Sequence, residues 1–238
     1  MHRFSIISII IPVLYEAHGI NACLETLSAR FPDEIFEVIV VDGDAEGTTI
    51  RQIVNPKVIT LYALRGRGKQ MNAGAKAATG EILIFLHADT RLPHNALCRI
   101  REVMADRQYV AGAFTLRFES QRLAFALIAA AASWRYRLTR LPYGDQAFFM
   151  SRRYFHEIGG FAEIPIMEDV DMMRRIKKRG ERIRILHDAV TTSPRRWEKE
   201  GILYSVVRTW ALAFLFYCGV DPERLAKHYR KEPHEKLL

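Results

Sequence analysis

The chain has 238 residues, of which 49% are hydrophobic and 26% charged, which excludes a disordered or low-complexity protein and suits one large domain or two small ones. Its net charge of +8 favours anionic partners such as nucleotide phosphates, nucleic acid or an acidic membrane surface. The scattered residues Cys23, Cys98 and Cys218 exclude a disulfide scaffold and a Cys-x-x-Cys metal site, and are typical of a reduced cytosolic protein.

The first ninety residues alternate between the patterns of strands and helices. Residues 20–31 have apolar side chains at helical spacing, and a second segment that ends at Ala78 is compatible with a helix. This alternation predicts an α/β fold in which a mostly parallel sheet is flanked by helices on both faces. The predicted strands are residues 5–11, 38–41, 57–61 and 81–86.

Polar residues cluster where each of these strands ends. Because parallel sheets bind ligands at the carboxyl ends of their strands, the clusters predict a binding site at one edge of the sheet. Each cluster alone could be an ordinary turn, but polar clusters at the ends of all four predicted strands favour a binding site. The clusters are Glu16, the pair Asp42 and Asp44, residues 65–69, and residues 87–90.

The second half of the chain is less regular. Its predicted elements are strands over 110–116 and 146–150 and helices over 123–138, 168–179 and 202–218. No linker rich in Gly, Ser or Pro and no internal repeat divides the chain, so we expect one compact domain with a helical C-terminal extension.

Two apolar stretches, 123–132 and 209–220, are shorter than the roughly 20 residues needed to span a bilayer. Residues 202–217 could lie on an anionic membrane, form a homodimer interface, or pack on the domain's own core. The beginning of the chain lacks the small-residue cleavage site of a signal peptide. We therefore expect a cytoplasmic protein, with peripheral contact at the inner membrane face left open.

Several common catalytic motifs are missing. Residues 12–16 stand where a Rossmann glycine fingerprint would follow the first strand, and Gln70 follows Lys69 where a P-loop needs Ser or Thr. Neither a Ser-His-Asp elbow nor an HExxH motif is present. These absences argue against hydride transfer, P-loop hydrolysis and ester hydrolysis.

Asp89 follows a buried apolar strand, where an uncompensated carboxylate would be costly. Bound Mg²⁺ or Mn²⁺ would compensate this charge and bridge the oxygens of a nucleotide diphosphate. Alternatively, Asp89 could cap a helix that begins near Pro93.

Six short motifs occur in the order seen in family 2 glycosyltransferases, which have the GT-A fold. The sequence most resembles their bacterial selenodomain-associated branch, which is linked to arsenosugar biosynthesis. The resemblance covers about residues 5–200 and implies a GT-A domain over 1–200, with a nucleotide-binding half (1–115) and an acceptor-side half (116–200), before an extension over 201–238. The motifs are 13–16 (VLYE), 40–43 (VVDG), 65–74 (RGRGKQMNAG), 87–89 (HAD), 159–161 (GGF) and 168–169 (ED).

The resemblance implies a role for each matching position. Pro12 and Glu16 would line the base pocket, and Asp42 and Asp44 would hold the uracil or ribose of a UDP- or GDP-sugar. Residues 65–69, including Arg65 and Lys69, together with Asn72 would lie near the ribose and phosphates. Asp89 would be the metal-bound aspartate of the D-x-D motif.

Asp169 would be the general base that deprotonates the acceptor hydroxyl, and inversion at the anomeric carbon would follow from a single in-line displacement. A carboxylate in reach of a weakly acidic hydroxyl agrees with this role. The neighbouring Glu168 would point about 100° away on a helix, so we favour Asp169. The alternative is that both carboxylates only complement the dipole at a helix N-terminus.

The sequence departs from the family pattern at two positions. His87 stands where the first aspartate of D-x-D is usual, which could change metal affinity or the preferred ion. Gly43 occupies a position where many members have another aspartate, which leaves the nucleotide contact there open.

Asp145 could bind the acceptor sugar or close a turn. Arg195, Arg196 and Trp197 resemble the Arg-Trp motif of processive relatives, in which an arginine contacts the diphosphate and the tryptophan lines the acceptor site. The alternative for these residues is ordinary surface charge.

Two other functions compete with glycosyl transfer. A nucleotidylyltransferase would carry its glycine-rich basic loop after the first strand, whereas residues 65–69 follow the third. A nucleic-acid-binding module would interleave basic residues with exposed aromatic ones, but the aromatic residues here lie mostly in apolar runs. We therefore expect no nucleic-acid partner, and the sequence leaves the donor and acceptor open.

Overall fold

The computed structural model describes residues 5–130 and 144–229. Within them the chain forms one eight-stranded sheet with helices on both faces. The strands are β1 (Ile7–Val13), β2 (Phe36–Asp42), β3 (Ile59–Tyr62), β4 (Ile82–Phe85), β5 (Thr90–Arg91), β6 (Ala111–Phe118), β7 (Phe149–Ser151) and β8 (Ile183–Thr192).

The helices connect the strands and form a C-terminal group after β8. Two 3-10 turns, Ile50–Gln52 and Gly144–Gln146, complete the described elements. The helices are α1 (Ile20–Arg30), α2 (Arg67–Ala77), α3 (Ala96–Ala105), α4 (123–130 within the described residues), α5 (Arg152–Glu157), α6 (Glu168–Lys178), α7 (Arg195–Glu200), α8 (Ile202–Tyr217) and α9 (Pro222–Tyr229).

The strand order is β3-β2-β1-β4-β7-β6-β8-β5. Strands β1 to β4 are parallel, which confirms the predicted α/β arrangement. β7 runs antiparallel to β4 and β6, and β5 runs antiparallel to β8, so the sheet as a whole is mixed. The carboxyl ends of β1 to β4 therefore lie at one edge.

Alternate residues of β1 face two separate cores, which explains its unbroken apolar run. Ile9 and Ile11 pack in a cluster with residues of α1 and α3, such as Leu24 and Leu97. Ile10 faces the other side, where its cluster includes residues of α2, α5 and α6. The sheet is thus covered on both faces, as the sequence predicts.

The structure corrects the strand predicted over 146–150. Residues 144–146 form a 3-10 turn, and Ala147 has a left-handed φ of 45°, so the extended strand β7 begins only at Phe149. Other boundaries move by smaller amounts. β1 continues through Pro12, which pairs with Val41 of β2 but lies beyond the last residue of β1 that pairs with β4. The predicted helix over 123–138 is described only to residue 130; its remainder lies outside the described residues.

The C-terminal helices form a third, smaller core. Leu212, Ala213 and Phe216 of α8 pack with Leu225 of α9 and with the segment before α6, including Met167. Over residues 5–130 and 144–229, every helix is too short or too polar to cross a bilayer. Helices α8 and α9 therefore pack directly against the first turn of α6, which contains Asp169.

Candidate active site

A cavity lies beyond the carboxyl end of β4. Its walls bring together five residues that the sequence analysis selects from separate parts of the chain. They are His87, Asp89, Asp145, Asp169 and Trp197. Because β4, the turn at Gly144, α6 and α7 each supply part of this lining, the site depends on the whole fold.

Asp89 is exposed to the cavity just after β4. Its Oδ1 accepts a hydrogen bond from the Thr90 hydroxyl at 3.3 Å. Desolvation by the cavity walls raises the pKa of Asp89, although the Thr90 hydrogen bond and the charge of Arg195 oppose this rise. The helix-cap alternative for Asp89 is wrong, because α3 begins only at Ala96.

Glu16 belongs to the same group of charges. Partial burial raises the pKa of Glu16, and the negative charge of Asp89 raises it further, whereas Arg195 lowers it. The carboxylates of Glu16, after β1, and Asp89, after β4, therefore repel each other, and the guanidinium of Arg195 attracts both. An added cation would relieve the repulsion between the carboxylates.

Asp169 is held by two backbone amides. Gly144 N–H donates to Oδ2 at 2.7 Å, and Val170 N–H donates to Oδ1 at 2.8 Å. A β-carbon placed on Gly144 would lie 3.3 Å from Asp169 Oδ2 and 3.7 Å from His87 Nε2. The carboxylate and the imidazole are therefore neighbours across a glycine, with the carboxylate orientation fixed by the backbone.

Glu168 is turned away from this carboxylate. It is buried, and its Oε1 lies 3.0 Å from Nε of Arg67, which itself lines the cavity. Burial raises the pKa of Glu168, while the guanidinium of Arg67 opposes the rise. Tyr229 of α9 forms a hydrogen bond with Arg67. In this arrangement Glu168 positions Arg67, and Asp169 alone of the acidic pair faces the cavity.

Backbone strain concentrates beside the site residues. Within the described residues, three non-glycine positions have left-handed φ: Tyr15 at 59°, Ala147 at 45° and Met167 at 68°. Tyr15 precedes Glu16, and Met167 precedes the pair Glu168 and Asp169. Such conformations cost about 1–3 kcal/mol each and tend to occur at functional sites.

The two aspartates after β2 organise their own loop. Asp42 is completely buried, and its carboxylate accepts hydrogen bonds from the backbone amides of Asp44, Thr49 and Ile50 at 3.0–3.2 Å. Asp44 accepts from the backbone and hydroxyl of Thr48, and the hydroxyl bond lowers the pKa of Asp44. Their contact with a nucleotide stays a prediction.

The glycine-rich motif contains two side chains that join distant segments. Gln70 donates to the carbonyls of Val13 and Val41 at 2.7 and 2.8 Å, across the ends of β1 and β2. A β-carbon on Gly43 would lie 2.9 Å from this Gln70 side chain. A side chain at position 43 would therefore have to displace the Gln70 amide from its bonds to the two strands.

Asn72 forms the second connection. Its amide donates to the Phe161 carbonyl and its Oδ1 accepts from the Phe161 N–H, both at 2.9 Å. These bonds join α2 to the glycine turn at 159–161. A direct contact between Asn72 and a nucleotide stays a prediction.

Of the remaining predicted residues, Trp197 lines the cavity, whereas Pro12, Arg65, Lys69 and Arg195 are not among its lining residues. Pro12 is half-buried near the end of β1, Arg65 is exposed, and Lys69 is half-buried in the first turn of α2. Trp197 packs edge-on against Phe118, with ring centroids 5.6 Å apart. Arg195 is exposed at the start of α7, whereas the side chain of Arg196 lies outside the described part of the structure.

Sequence reasoning missed part of the cavity wall. Thr209 and Ala213 of α8 and Tyr229 of α9 line it, although these residues are far from the motifs in sequence. Arg67, which also lines the cavity, belongs to the range 65–69 that the sequence analysis places near the ribose and phosphates. The other three carry no local pattern that distinguishes them from packing residues.

The residues around Asp89 are compatible with a cation that also binds a diphosphate. Across residues 5–130 and 144–229, no group of three His, Cys, Asp or Glu side chains could hold a metal ion. A divalent ion at Asp89 would therefore need further oxygen ligands, which phosphate groups supply. The desolvated carboxylates Asp89 and Glu16 provide the negative field that such an ion requires.

A mixed sheet flanked by helices, with polar residues at the ends of its parallel strands and a cavity lined by carboxylates, is consistent with the GT-A fold. The sequence profile of glycosyl transferase family 2 matches residues 8–162. The match covers more than half of the chain, and the protein belongs to this family.

Three curated relatives show partial similarity. Glycosyltransferase AglE of Haloferax volcanii is 34% identical over 37% of this chain. An uncharacterised glycosyltransferase of Nostoc is 33% identical over 41%, and a probable glycosyltransferase of Sulfolobus acidocaldarius is 32% identical over 42%. The aligned segments span only 31, 32 and 24% of these relatives, respectively.

Proposed function

We propose that the protein transfers a sugar from a UDP- or GDP-sugar to an acceptor hydroxyl with inversion, and that Asp169 is the general base. The observation that carries this proposal is that Asp169 and Asp89 line one cavity. One carboxylate is then available for the acceptor and the other for the diphosphate side of the donor.

Asp169 suits the role of base because two amides orient its carboxylate while its face toward the cavity is open. In the reaction Asp169 takes the proton of the acceptor hydroxyl. The acceptor oxygen then forms a bond to the anomeric carbon as the bond to the diphosphate oxygen breaks. A single displacement of this kind inverts the anomeric centre.

The leaving diphosphate needs positive charge. Arg67, held by Glu168, lines the cavity, and Arg195 lies near Asp89. Asp89, with His87 beside the cavity, would hold Mg²⁺ or Mn²⁺, which supplies further charge stabilisation when bound. Trp197 and Asp145 are proposed to contact the acceptor, and Arg195 or Arg196 the diphosphate.

The nucleotide is proposed to lie along the ends of β1 to β3. Asp42 would act there mainly by fixing the loop that carries Asp44, because its carboxylate is already bonded to backbone amides. The residues proposed for this pocket are Pro12, Glu16, Asp42, Asp44, Arg65, Lys69 and Asn72.

Family membership decides against the two rival functions, a nucleotidylyltransferase and a nucleic-acid-binding module. Within the family, assignment to the selenodomain-associated branch is part of this proposal. Cytoplasmic location, the division of the chain at residues 115 and 200, and contact through the C-terminal extension are also proposals.

The proposed base can be tested by nucleoside diphosphate release from a panel of UDP- and GDP-sugars, supplied with Mn²⁺ and a mixture of hydroxyl acceptors. Asp169→Asn should lower turnover about 10²–10⁴-fold, the range expected for a general base. The exposed Asp33→Asn is the matched control and should leave turnover unchanged. Normal turnover by Asp169→Asn would assign the base to another residue.

A further inference from the structure

Helix α8 carries an apolar stripe on its outer side. Leu203, Val207, Trp210, Phe214 and Tyr217 repeat at alternating spacings of four and three residues, which aligns them along one side of a helix. These side chains are 77, 59, 52, 67 and 43% exposed. We refer to these five residues as the α8 stripe.

Unlike an ordinary surface helix, α8 is apolar on its outer side as well as on the side that packs in the C-terminal core. Its polar residues face inward: Ser205 and Arg208 both bond to Glu200, and Thr209 lines the cavity. Arg208 also lies over the rings of Tyr204 and Tyr229. The only charged side chain of α8 is thus held inside the protein, while the stripe faces outward.

The chemistry of the stripe matches a lipid interface. Trp and Tyr are enriched where protein meets the headgroup layer, and Leu, Val and Phe favour the acyl boundary. Exposed cations lie at both ends of the helix, with Lys199 just before it and Arg224 and Lys227 on α9, interspersed with the exposed acids Glu198, Asp221 and Glu223. The net charge of +8 adds attraction to anionic lipids.

A second copy of the chain is a less suitable occupant. Stable protein interfaces use about 20–30 residues from each partner. The α8 stripe supplies five side chains in a single row about 20 Å long, at 1.5 Å per residue. A flat lipid surface needs no complementary shape and accepts such a row directly.

We propose that the α8 stripe docks the protein on an anionic membrane surface, with the helix lying in the plane of the interface. Because Thr209 and Ala213 of the same helix line the cavity, docking places the candidate active site beside the headgroup layer. The helix does not need to cross the bilayer for this purpose.

The test is co-sedimentation of the full chain with phosphatidylcholine vesicles that contain about 30% phosphatidylglycerol. Wild-type protein should bind, and the double variant Trp210→Glu/Phe214→Glu should bind at least about tenfold more weakly. The matched control Ile35→Glu/Val54→Glu makes the same changes at side chains 73 and 78% exposed elsewhere, and should bind within about twofold of wild type.

A second measurement does not depend on how the glutamate variant folds. Brominated lipids should quench wild-type tryptophan fluorescence, and Trp210→Phe should lose the quenched component. Absence of wild-type binding, equal binding by Trp210→Glu/Phe214→Glu, or undiminished quenching in Trp210→Phe would overturn the proposal. The proposal would also be overturned if the wild-type protein does not bind vesicles but forms a dimer that Trp210→Glu/Phe214→Glu dissociates. Because neither readout needs turnover, failure here leaves the proposed base untouched.

Discussion

Neighbouring carboxylates in this protein have different surroundings, and these surroundings decide what each can do. Glu168 and Asp169 are adjacent in sequence, yet the first is buried against Arg67 and the second faces the cavity. Asp42 is buried and bonded to three amides, whereas Asp89 is exposed at the end of a strand. A buried carboxylate that is bonded to backbone amides organises structure, and a carboxylate that faces the cavity is available to a ligand.

The ion pair between Glu168 and Arg67 predicts a stability difference. Arg67→Met would leave the buried Glu168 carboxylate, whose pKa burial already raises, without its counter-charge, so it should lower the free energy of unfolding by about 1–3 kcal/mol. Chemical denaturation measures this change. Glu157→Gln is the control, because Glu157 pairs with Arg179 at 3.6 Å on the exposed surface and should contribute less than about 0.5 kcal/mol. Equal effects for the two variants would contradict a structural role for the buried pair.

The raised pKa of Glu16 predicts a pH dependence. A carboxyl whose pKa is higher in the folded than in the unfolded state favours folding at low pH, and this contribution is lost as the pH rises through the raised pKa. Glu16→Gln should therefore raise the melting temperature at pH 7 by about 2 °C, with a gain that shrinks toward pH 4. Thermal melts across this range measure the effect.

Glu25→Gln provides the comparison for Glu16→Gln, because Glu25 is exposed on α1. Its substitution should change the melting temperature little at either pH. A gain for Glu16→Gln that persists unchanged at pH 4 would show that charge repulsion is not its source.

At the scale of elements, the sequence predicts strands better than the turns between them. The apolar runs of β1, β2 and β4 are buried on both faces, so their sequence alone identifies them. The segment 146–150 contains a similar apolar run, but the 3-10 turn and the left-handed Ala147 interrupt it. That turn is held by the bond from Gly144 to Asp169, a contact across 25 residues that no local pattern encodes.

Asn72 connects α2 with the turn at 159–161, which predicts a second stability effect. Asn72→Ala would leave the Phe161 N–H and carbonyl without these partners and should cost about 1–3 kcal/mol. Lys76→Ala, exposed on the same helix, should change stability by less than about 0.5 kcal/mol. Urea denaturation compares the two variants; similar midpoints would show that the connection is dispensable.

At the scale of the whole molecule, the sequence identifies several residues of the cavity wall but does not show which distant segments pack together to form it. The motifs that resemble the family identify His87, Asp89, Asp169 and Trp197, and the segment before a predicted strand identifies Asp145; the structure brings all five to one cavity. Tyr229 could not be identified in this way, since its contact with Arg67 joins segments that are far apart in the sequence. Long-range contacts of this kind follow from packing, and single-sequence patterns do not record them.

The two faces of α8 provide a matched pair of variants. Leu212 is 4% exposed in the C-terminal core, so Leu212→Ala should lower the free energy of unfolding by about 2–5 kcal/mol. Leu203 is 77% exposed on the same helix, and Leu203→Ala should cost less than about 0.5 kcal/mol. Denaturation of both variants measures the difference. A large loss in Leu203→Ala would mean that another part of the protein covers the stripe.

Asp89 and Asp169 are proposed to have separate roles in one cavity. The most direct test is calorimetric titration of UDP and of GDP, each with Mn²⁺, into wild-type protein, Asp89→Asn and Asp169→Asn. We expect Asp89→Asn to weaken metal-dependent binding of the preferred nucleotide by about tenfold or more, while Asp169→Asn binds within about twofold of wild type. Wild-type affinity in Asp89→Asn, or an equal loss in both variants, would contradict these separate roles.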